Sequence, residues 1–292
     1  MQHERADTKL GHSIHALARA PGCNFYAQTD TNVNHAAATS GLPSFGFFPA
    51  DAVQRPYTPG DLAQKSLLDL VRLIASRDAA RVDSLLGAMP ELAKATVVVG
   101  ASARAAKEYF FESIQHYVYA GDTALHMAAA SHDPALCGRL LGLGADVAAT
   151  NRRGAQPLHY AADTNHQHVE AQRGTIRCLC SAGADVNAFD KSGVAPLHRA
   201  VRTRGATAVE ALLEAGADAR LRNKSGSTPL HLAVQNTGRS GSGSASAVAA
   251  QREIIELLLA HGARASDQDG RGTTVISAAR ADWIVALLKT RA

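Results

Sequence analysis

The sequence predicts an all-α solenoid, a protein built from stacked helix-turn-helix repeats. One basis for this prediction is composition: hydrophobic residues make up 46% of the 292 residues, but aromatic residues only 5%. Such a composition is typical of small side chains between closely packed helices, whereas β-sandwiches and barrels use more β-branched and aromatic residues. The second basis is a motif that recurs along the chain, because self-similarity at a fixed period is the signature of repeat architectures.

The recurring motif places a histidine five residues after a glycine. Its four copies are GDTALHMAA at 121–129, GAQPLHYAA at 154–162, GVAPLHRAV at 193–201 and GSTPLHLAV at 226–234. The first and second histidines are 33 residues apart, as are the third and fourth, but the second and third are 39 apart. A second marker is needed to decide whether the longer spacing breaks the repeat.

That marker is a second motif, which ends in Gly-Ala followed by a charged residue. Its copies are LLGLGAD at 140–146, LCSAGAD at 179–185, LLEAGAD at 212–218 and LLAHGAR at 258–264. The distance from its glycine to the next histidine is 15 residues in each case. From each histidine to the following glycine the distance is 18, 24, 18 or 31 residues. The period is therefore 33 residues, with insertions of six and 13 residues predicted in the turn between two helices. A fifth copy, GTTVISAA at 272–279, has Ile276 in the histidine position and predicts a degenerate terminal repeat.

The repeated residues suit a pair of helices. Thr123 and Thr228 can cap the first helix, and prolines stand in its first turn, where the missing N–H costs nothing. The glycine of the second motif is expected to end the second helix in the left-handed conformation. The leucines face the neighbouring units, since no unit can bury its apolar face alone.

These motifs, over residues 119–290, resemble ankyrin repeats. The resemblance implies antiparallel helix pairs joined by projecting β-turn fingers, with a concave surface that binds other proteins and no chemistry of its own. The predicted organisation is a flexible, disordered tail (1–60), atypical N-terminal capping helices (61–96), an aromatic helical insert (97–118) and the repeats (119–292). The last repeat serves as the C-terminal cap.

Two segments before the repeats leave alternatives open. In the tail, the cluster of Phe45, Phe47 and Phe48 either folds back onto the domain or forms a partner-binding segment. Two short helices joined at Ser76–Asp78 are predicted within the capping region. In the insert, five aromatic residues lie between 109 and 119, and one helix is predicted over 101–119. That helix either seals the end of the repeat core or anchors a partner.

The sequence contains no motif that predicts catalysis, a cofactor or a metal. The repeated histidines are expected to be structural, bonding to backbone and threonine groups. His166, His168, Cys178 and Cys180 have the residue types of a zinc site. However, Cys180 stands at a buried leucine position and both histidines lie in an insertion, so no metal is predicted. We therefore expect a protein that is not an enzyme.

Charge and cysteine content indicate the cellular compartment and the classes of partner to expect. The net charge is +4 with an isoelectric point near 9.0, which is too mild to indicate nucleic-acid binding. No apolar run reaches the ~18 residues of a membrane span. Four cysteines without a secreted spacing favour a reducing compartment. We expect a cytoplasmic monomer without membrane or nucleic-acid contacts.

The predicted function is protein binding, as an adaptor, scaffold or inhibitor. Stacking would place cationic finger residues along one ridge, with two more on a nearby first helix, and such a ridge suits an acidic protein partner. The candidate residues are Arg152, Arg153, Lys191, Arg199, Arg202, Lys224 and Arg271. The alternative is a secreted effector or toxin-like factor that binds a host protein, with the tail as its delivery signal.

Overall fold

The structure is a computed structural model that describes residues 59–102, 105–164, 168–235 and 243–290. The predicted tail, including its phenylalanine cluster, lies outside the described residues apart from its last two positions. His166 and most of the Gly- and Ser-rich stretch at 238–246 also lie outside them.

The described chain forms six consecutive pairs of helices. They are α1 (Pro59–Ala75) with α2 (Ala79–Ala88), α3 (Ala124–Ala130) with α4 (Pro134–Gly142), α5 (Pro157–Ala161) with α6 (Val169–Ser181), α7 (Pro196–Arg202) with α8 (Ala206–Glu214), α9 (Pro229–Ala233) with α10 (Ala245–Ala260), and α11 (Val275–Ala278) with α12 (Asp282–Thr290). Two 3₁₀ turns, Pro90–Ala93 and Lys107–Tyr109, and two strands, β1 (Phe110–Phe111) and β2 (His116–Tyr117), lie between the first two pairs. The all-α repeat fold is confirmed, and so is the junction at Ser76–Asp78.

Helices of the same rank stack on one another. The first helices α3, α5, α7, α9 and α11 contact each other in order, as do the second helices α4, α6, α8 and α10. The leucine before each motif histidine is fully buried, and these leucines belong to one continuous core that also includes residues of α1 and α2. Each unit is therefore stabilised chiefly by its neighbours.

A buried histidine joins each repeat to the next. Its Nδ1 accepts a hydrogen bond from the backbone N–H three residues earlier, at 3.1–3.4 Å. Because a backbone N–H can only donate, the ring proton is on Nε2. From there it is donated to a carbonyl in the following finger, over 3.0 Å to Ala155, 3.1 Å to Val194, 3.4 Å to Ser227 and 3.1 Å to Thr273. The structural role expected for these histidines is confirmed.

The helix ends follow the sequence signals. Thr123 and Thr228 accept from the backbone N–H three residues on and cap α3 and α9. The four glycines after α4, α6, α8 and α10 have φ between 86° and 93°, a conformation that side chains disfavour. The predicted helix capping and termination are confirmed.

The inserted residues partly lengthen the second helices, so the prediction that they are confined to the turn is wrong. Helix α6 has 13 residues and α10 has 16, whereas α4 and α8 have nine. A buried glutamine explains how the longer helix fits. Gln172 donates to the carbonyls of Ala161 (2.8 Å) and Asp163 (3.3 Å). Gln251 donates in the same way to Ala233 and Gln235, at 2.7 and 3.0 Å. Each glutamine satisfies carbonyls at the end of its first helix.

The helix predicted over 101–119 is also wrong, because the segment forms a 3₁₀ turn and a β-hairpin. Strands β1 and β2 pair antiparallel, with Phe110 opposite Tyr117. Backbone groups of this segment form hydrogen bonds with residues far apart in the sequence; for example, the N–H of Ala101 donates to the carbonyl of Val118 at 2.7 Å. Aromatic residues favour paired strands over a helix, and Ile114 and Val118 are buried in the core. Ile114 lies in the turn of the hairpin, and Val118 directly follows β2.

The hairpin contributes to stability through its buried side chains. Replacing Ile114, which is 3% exposed, by Ala is expected to lower the free energy of unfolding by about 2–5 kcal/mol, since it leaves a cavity in the core. The matched control Val98→Ala, at a position 69% exposed in the same linker, should change it by less than about 0.5 kcal/mol. Urea unfolding followed by circular dichroism measures both; equal effects would contradict the packing described.

Acidification is expected to destabilise the repeats. Burial lowers the pKa of His159 and that of His198 from 6.5 to about 4. Between these values the unfolded chain binds more protons than the folded one. The free energy of unfolding therefore falls as the pH falls through this window, by about 1.4 kcal/mol per pH unit for each such histidine. Urea midpoints measured near neutrality and below pH 6 test this. His198→Gln should reduce the slope, and a flat profile would refute the assignment.

Candidate protein-interaction surface

Each finger tip is a turn closed by one side chain. Asn151, Asp190, Asn223 and Asp269 occupy equivalent positions, and in each the Oδ1 atom accepts from the backbone N–H groups two and four residues later at 2.8–3.1 Å. These bonds hold the tip in a single conformation. They also turn the carboxylates of Asp190 and Asp269 inward, and the backbone bonds to Asp269 lower its pKa. The acidic residues of the tips are thus used internally.

Neighbouring tips are joined through their backbones. The N–H of Arg152 donates to Ala120 at 2.7 Å, that of Lys191 to Arg153 at 2.8 Å, and that of Gly270 to Ser225 at 3.1 Å. At the remaining junction, Gly193 has φ 70° and a side chain there would come within 2.7 Å of Lys224 Cβ. Successive fingers therefore lie side by side, and their tips form one row.

Cations occupy the same position in three consecutive tips of this row. Arg152, Lys191 and Lys224 each follow the turn-closing residue and are exposed. Arg271, also exposed, lies one position later in the fourth tip. We call Arg152, Lys191, Lys224 and Arg271 the tip row. Among the described residues none of these four has a carboxylate within ion-pair distance, although Lys191 Nζ donates to the Arg152 carbonyl at 2.9 Å.

Arg153 lies beside the row rather than at its surface. It is half-buried, and its guanidinium lies 5.2 Å from the ring centre of Tyr119. The Arg152 guanidinium lies 5.3 Å from the same ring and donates to the Ala101 carbonyl at 2.5 Å. Cation–π contacts of this kind fix both arginines against the residue that follows the hairpin.

The two arginines predicted on a first helix differ in placement. Arg202, at the end of α7, is exposed. Arg199 is only 8% exposed, so its prediction as a surface residue of the ridge is wrong. Its Nη1 lies 3.1 Å from Asp163 Oδ2 and its guanidinium 5.9 Å from the Tyr160 ring. The ion pair with Asp163 and the packing on Tyr160 hold this guanidinium inside the fold. His116 of the hairpin shares both partners, since it stacks on Tyr160 at 4.0 Å and lies 3.3 Å from Asp163 Oδ2.

A buried polar cluster ties the hairpin, the first finger and α5 together. Asp122 is fully buried at a position that later repeats fill with Ala155, Val194 or Ser227. Its carboxylate accepts from Tyr160 Oη at 2.9 Å, Asn151 Nδ2 at 2.8 Å and the backbone N–H of Tyr119 at 2.6 Å. A buried charge is tolerated only when donors converge on it in this way.

The charges in and around this cluster settle the protonation of its members. Burial and the negative charge of Asp122 raise the pKa of Tyr160 well above its usual value, so the phenol keeps the proton that it donates. Burial alone would raise the pKa of Asp163. Arg199 and the hydrogen bond from His116 outweigh that effect, and the pKa is lowered. Asp163 is therefore a carboxylate that holds Arg199 in place.

Sequence reasoning noted Tyr119 among the aromatic residues of the insert but did not place it beside the row, and it did not identify Phe189 or Arg222. Tyr119 stands at the position of Arg152 in the preceding, atypical finger. Phe189 and Arg222 precede the turn-closing residues of later fingers, and Phe189 is 47% exposed. Alignment on the glycine of each finger, rather than on charge, would have placed all three beside the row.

The candidate zinc ligands are not assembled within the described residues. Cys178 and Cys180 are half-buried free thiols, and burial raises the pKa of each, that of Cys180 to about 11. Metal binding requires the thiolate, which such a shift disfavours. His166 lies outside the described residues, and no group of three potential ligands is found among the described ones.

Comparison with protein families identifies the fold. A family model for ankyrin repeats matches the chain in three copies, over residues 125–223 and 168–269. The chain is a member of the ankyrin-repeat family, whose repeats generally mediate contacts with other proteins. The match spans the fingers that carry Arg152, Lys191 and Lys224. No curated protein matches the sequence significantly. Of the helices described here, none has the length and apolar character to cross a membrane.

The buried cluster makes a specific prediction. Tyr160→Phe removes one donor to the Asp122 carboxylate and should lower the free energy of unfolding by about 1.5–3 kcal/mol. The same change at Tyr117, which is 38% exposed, should alter it by less than about 0.5 kcal/mol. Chemical denaturation of both variants measures the difference. Comparable losses would show that the Tyr160 hydroxyl contributes nothing special.

Proposed function

We propose that this protein is a non-catalytic protein-binding module, acting as an adaptor, scaffold or inhibitor. It binds an acidic surface of its partner through the tip row and the adjoining face of the first helices, the face that the ankyrin resemblance implies is concave. One observation carries the proposal: three consecutive finger tips present a cation at the same position, and all three are exposed.

The distribution of ion pairs supports this assignment. On the second helices, Arg173 pairs with Glu210 at 2.5 Å and Arg177 with Glu214 at 2.9 Å, which joins α6 to α8. Those cations are balanced within the fold. The tip row, by contrast, contacts no carboxylate among the described residues. Its charge is therefore not neutralised by a neighbouring carboxylate and can steer an oppositely charged protein within the ~8 Å screening length of physiological salt.

The rigidity of the tips also favours binding. Each tip is closed by two side-chain hydrogen bonds and joined to a neighbouring finger, so its backbone is ordered before a partner arrives. A preorganised surface loses less conformational entropy on association. The tips thus satisfy the physical requirements of an electrostatic docking site. We further propose that the protein works as a monomer in the cytoplasm, where the free thiols of Cys137, Cys178 and Cys180 would remain reduced.

Charge reversal tests the proposal. The variant carries Lys191→Glu, Lys224→Glu and Arg271→Glu; Arg152 is left unchanged because its guanidinium bonds to Ala101. The matched control reverses three exposed cations away from the fingers: Arg72, Arg81 and Lys289. Proteins captured by the full-length chain and by the control, but not by the variant, are then purified and their association rates measured at increasing salt.

The expected result is an association rate at least roughly tenfold lower for the variant at low salt, with a weaker dependence on salt. The control should behave like the unmodified chain. Thermal unfolding verifies that all three proteins are folded. If the variant captures the same partners at the same rates, the tip row is not the binding surface and the proposal fails.

A further inference from the structure

The row of finger tips begins with an aromatic residue. Tyr119, Arg152, Lys191 and Lys224 occupy the same position in successive fingers, each two residues before the finger's glycine. The backbone confirms the equivalence, because Arg152 donates to Ala120 at 2.7 Å just as Lys191 donates to Arg153 at 2.8 Å. The segment from 119 to 121 therefore takes the place of a finger tip, with a ring where the later tips have a cation.

The rings of the hairpin continue the surface beyond Tyr119. The Tyr119 and Tyr117 ring centres are 6.2 Å apart, and those of Tyr117 and Phe110 are 4.7 Å apart. Arg152 and Arg153 lie over the Tyr119 ring at 5.3 and 5.2 Å. The aromatic and cationic side chains are thus in contact and form one continuous surface. Tyr117 is 38% exposed and Phe110 is partly exposed, so two rings at this end are accessible to a partner.

The repeat spacing determines what can bind along the surface. Packed helices lie roughly 8–10 Å apart, so equivalent tip residues recur at about that interval. An extended segment in the polyproline II conformation advances ~3.1 Å per residue with three residues per turn, so its every third side chain lies on the same face. Every third side chain of such a segment would therefore meet the next tip. A partner segment with carboxylates at every third position matches Arg152, Lys191 and Lys224 in register.

From this surface we infer that the protein recognises an extended acidic segment of its partner, flanked by an aromatic or large apolar side chain. Carboxylates at every third residue pair with the three cations of the row. The apolar side chain lies about three residues beyond the last paired carboxylate at the Tyr119 end, against Tyr117 and Phe110. This inference rests on the proposed function, and it adds a partner chemistry and a register that charge alone does not supply. Aromatic contacts at an interface provide the anchor that screened charges lack.

Labelled synthetic peptides test the inference on the full-length chain. The core peptide has glutamates at every third position, separated by pairs of serines, with three glutamates in all. Two further peptides add a tryptophan three residues before the first glutamate or three residues after the last. A fourth peptide has the same amino-acid composition as a tryptophan peptide, but its three glutamates stand side by side. Fluorescence anisotropy at low salt gives each dissociation constant.

One of the two tryptophan peptides should bind roughly three- to tenfold tighter than the core peptide. That gain should disappear in Tyr117→Ser and persist in the matched control Val169→Ser, which removes a similarly exposed apolar side chain from α6. The peptide with clustered glutamates should bind more weakly than its spaced counterpart. Tyr117→Thr, which keeps a strand-favouring residue, is the substitute if the serine variant unfolds.

The outcomes separate this inference from the proposed function. The inference is overturned if neither tryptophan improves binding or if the peptide with clustered glutamates binds equally well. It is also overturned if the gain in affinity from tryptophan persists when Tyr117 is replaced. Loss of peptide binding in Lys191→Glu/Lys224→Glu would still support the tip row in each of those cases. If that double variant binds every peptide unchanged, the proposed function fails as well.

Discussion

One buried imidazole in each of the four repeats that carry the histidine motif connects the fold to the surface. Its Nδ1 accepts from the backbone at the start of its own first helix, and its Nε2 proton goes to a carbonyl of the next finger, as His159 does with Val194. Both bonds require the neutral ring with the proton on Nε2. The same side chain therefore closes a helix, stacks two repeats and places a finger tip. A disturbance of the imidazole would move the tips as well as weaken the stack.

The first repeat keeps this histidine but adds a buried carboxylate, Asp122, and that addition gives the molecule its individual surface. A carboxylate at Asp122 would be costly in a buried position without donors. The donors come from three different segments: α5 through Tyr160, the first finger through Asn151, and the segment that follows the hairpin through the backbone N–H of Tyr119. Because all three must converge, the end of the hairpin is held against the repeats in one arrangement. That arrangement brings Tyr119 under Arg152 and Arg153, and so joins the aromatic hairpin to the cationic tips.

Specific residues show how far sequence reasoning reached. The positions of Arg152, Lys191 and Lys224 in consecutive fingers followed from the repeat period, since a glycine and a turn-closing residue mark each tip. Arg199 was misplaced because it is buried against Asp163 and the Tyr160 ring, residues 36 and 39 positions earlier in the chain. The helix predicted for 101–119 failed for a related reason. The spacing of Phe110, Ile114 and Tyr117 fits a helix, but backbone hydrogen bonds between residues far apart in the sequence, such as Ala101 N–H to Val118 C=O, hold the segment as a hairpin.

Local sequence was enough to predict the features that depend on short-range bonds: the caps at Thr123 and Thr228, the glycine helix ends and the turns at the finger tips. Each of these is set by bonds that span about five residues, and the recurrence of the motifs gave the 33-residue period. Contacts between distant segments, by contrast, decide which first-helix residues remain exposed and that Tyr119 precedes the tip row. They also decide that the insertions lengthen α6 and α10. Those outcomes depend on contacts between segments tens of residues apart, such as Tyr160 with Asp122 and His116 with Asp163. Such contacts form only once the stack has brought their segments together.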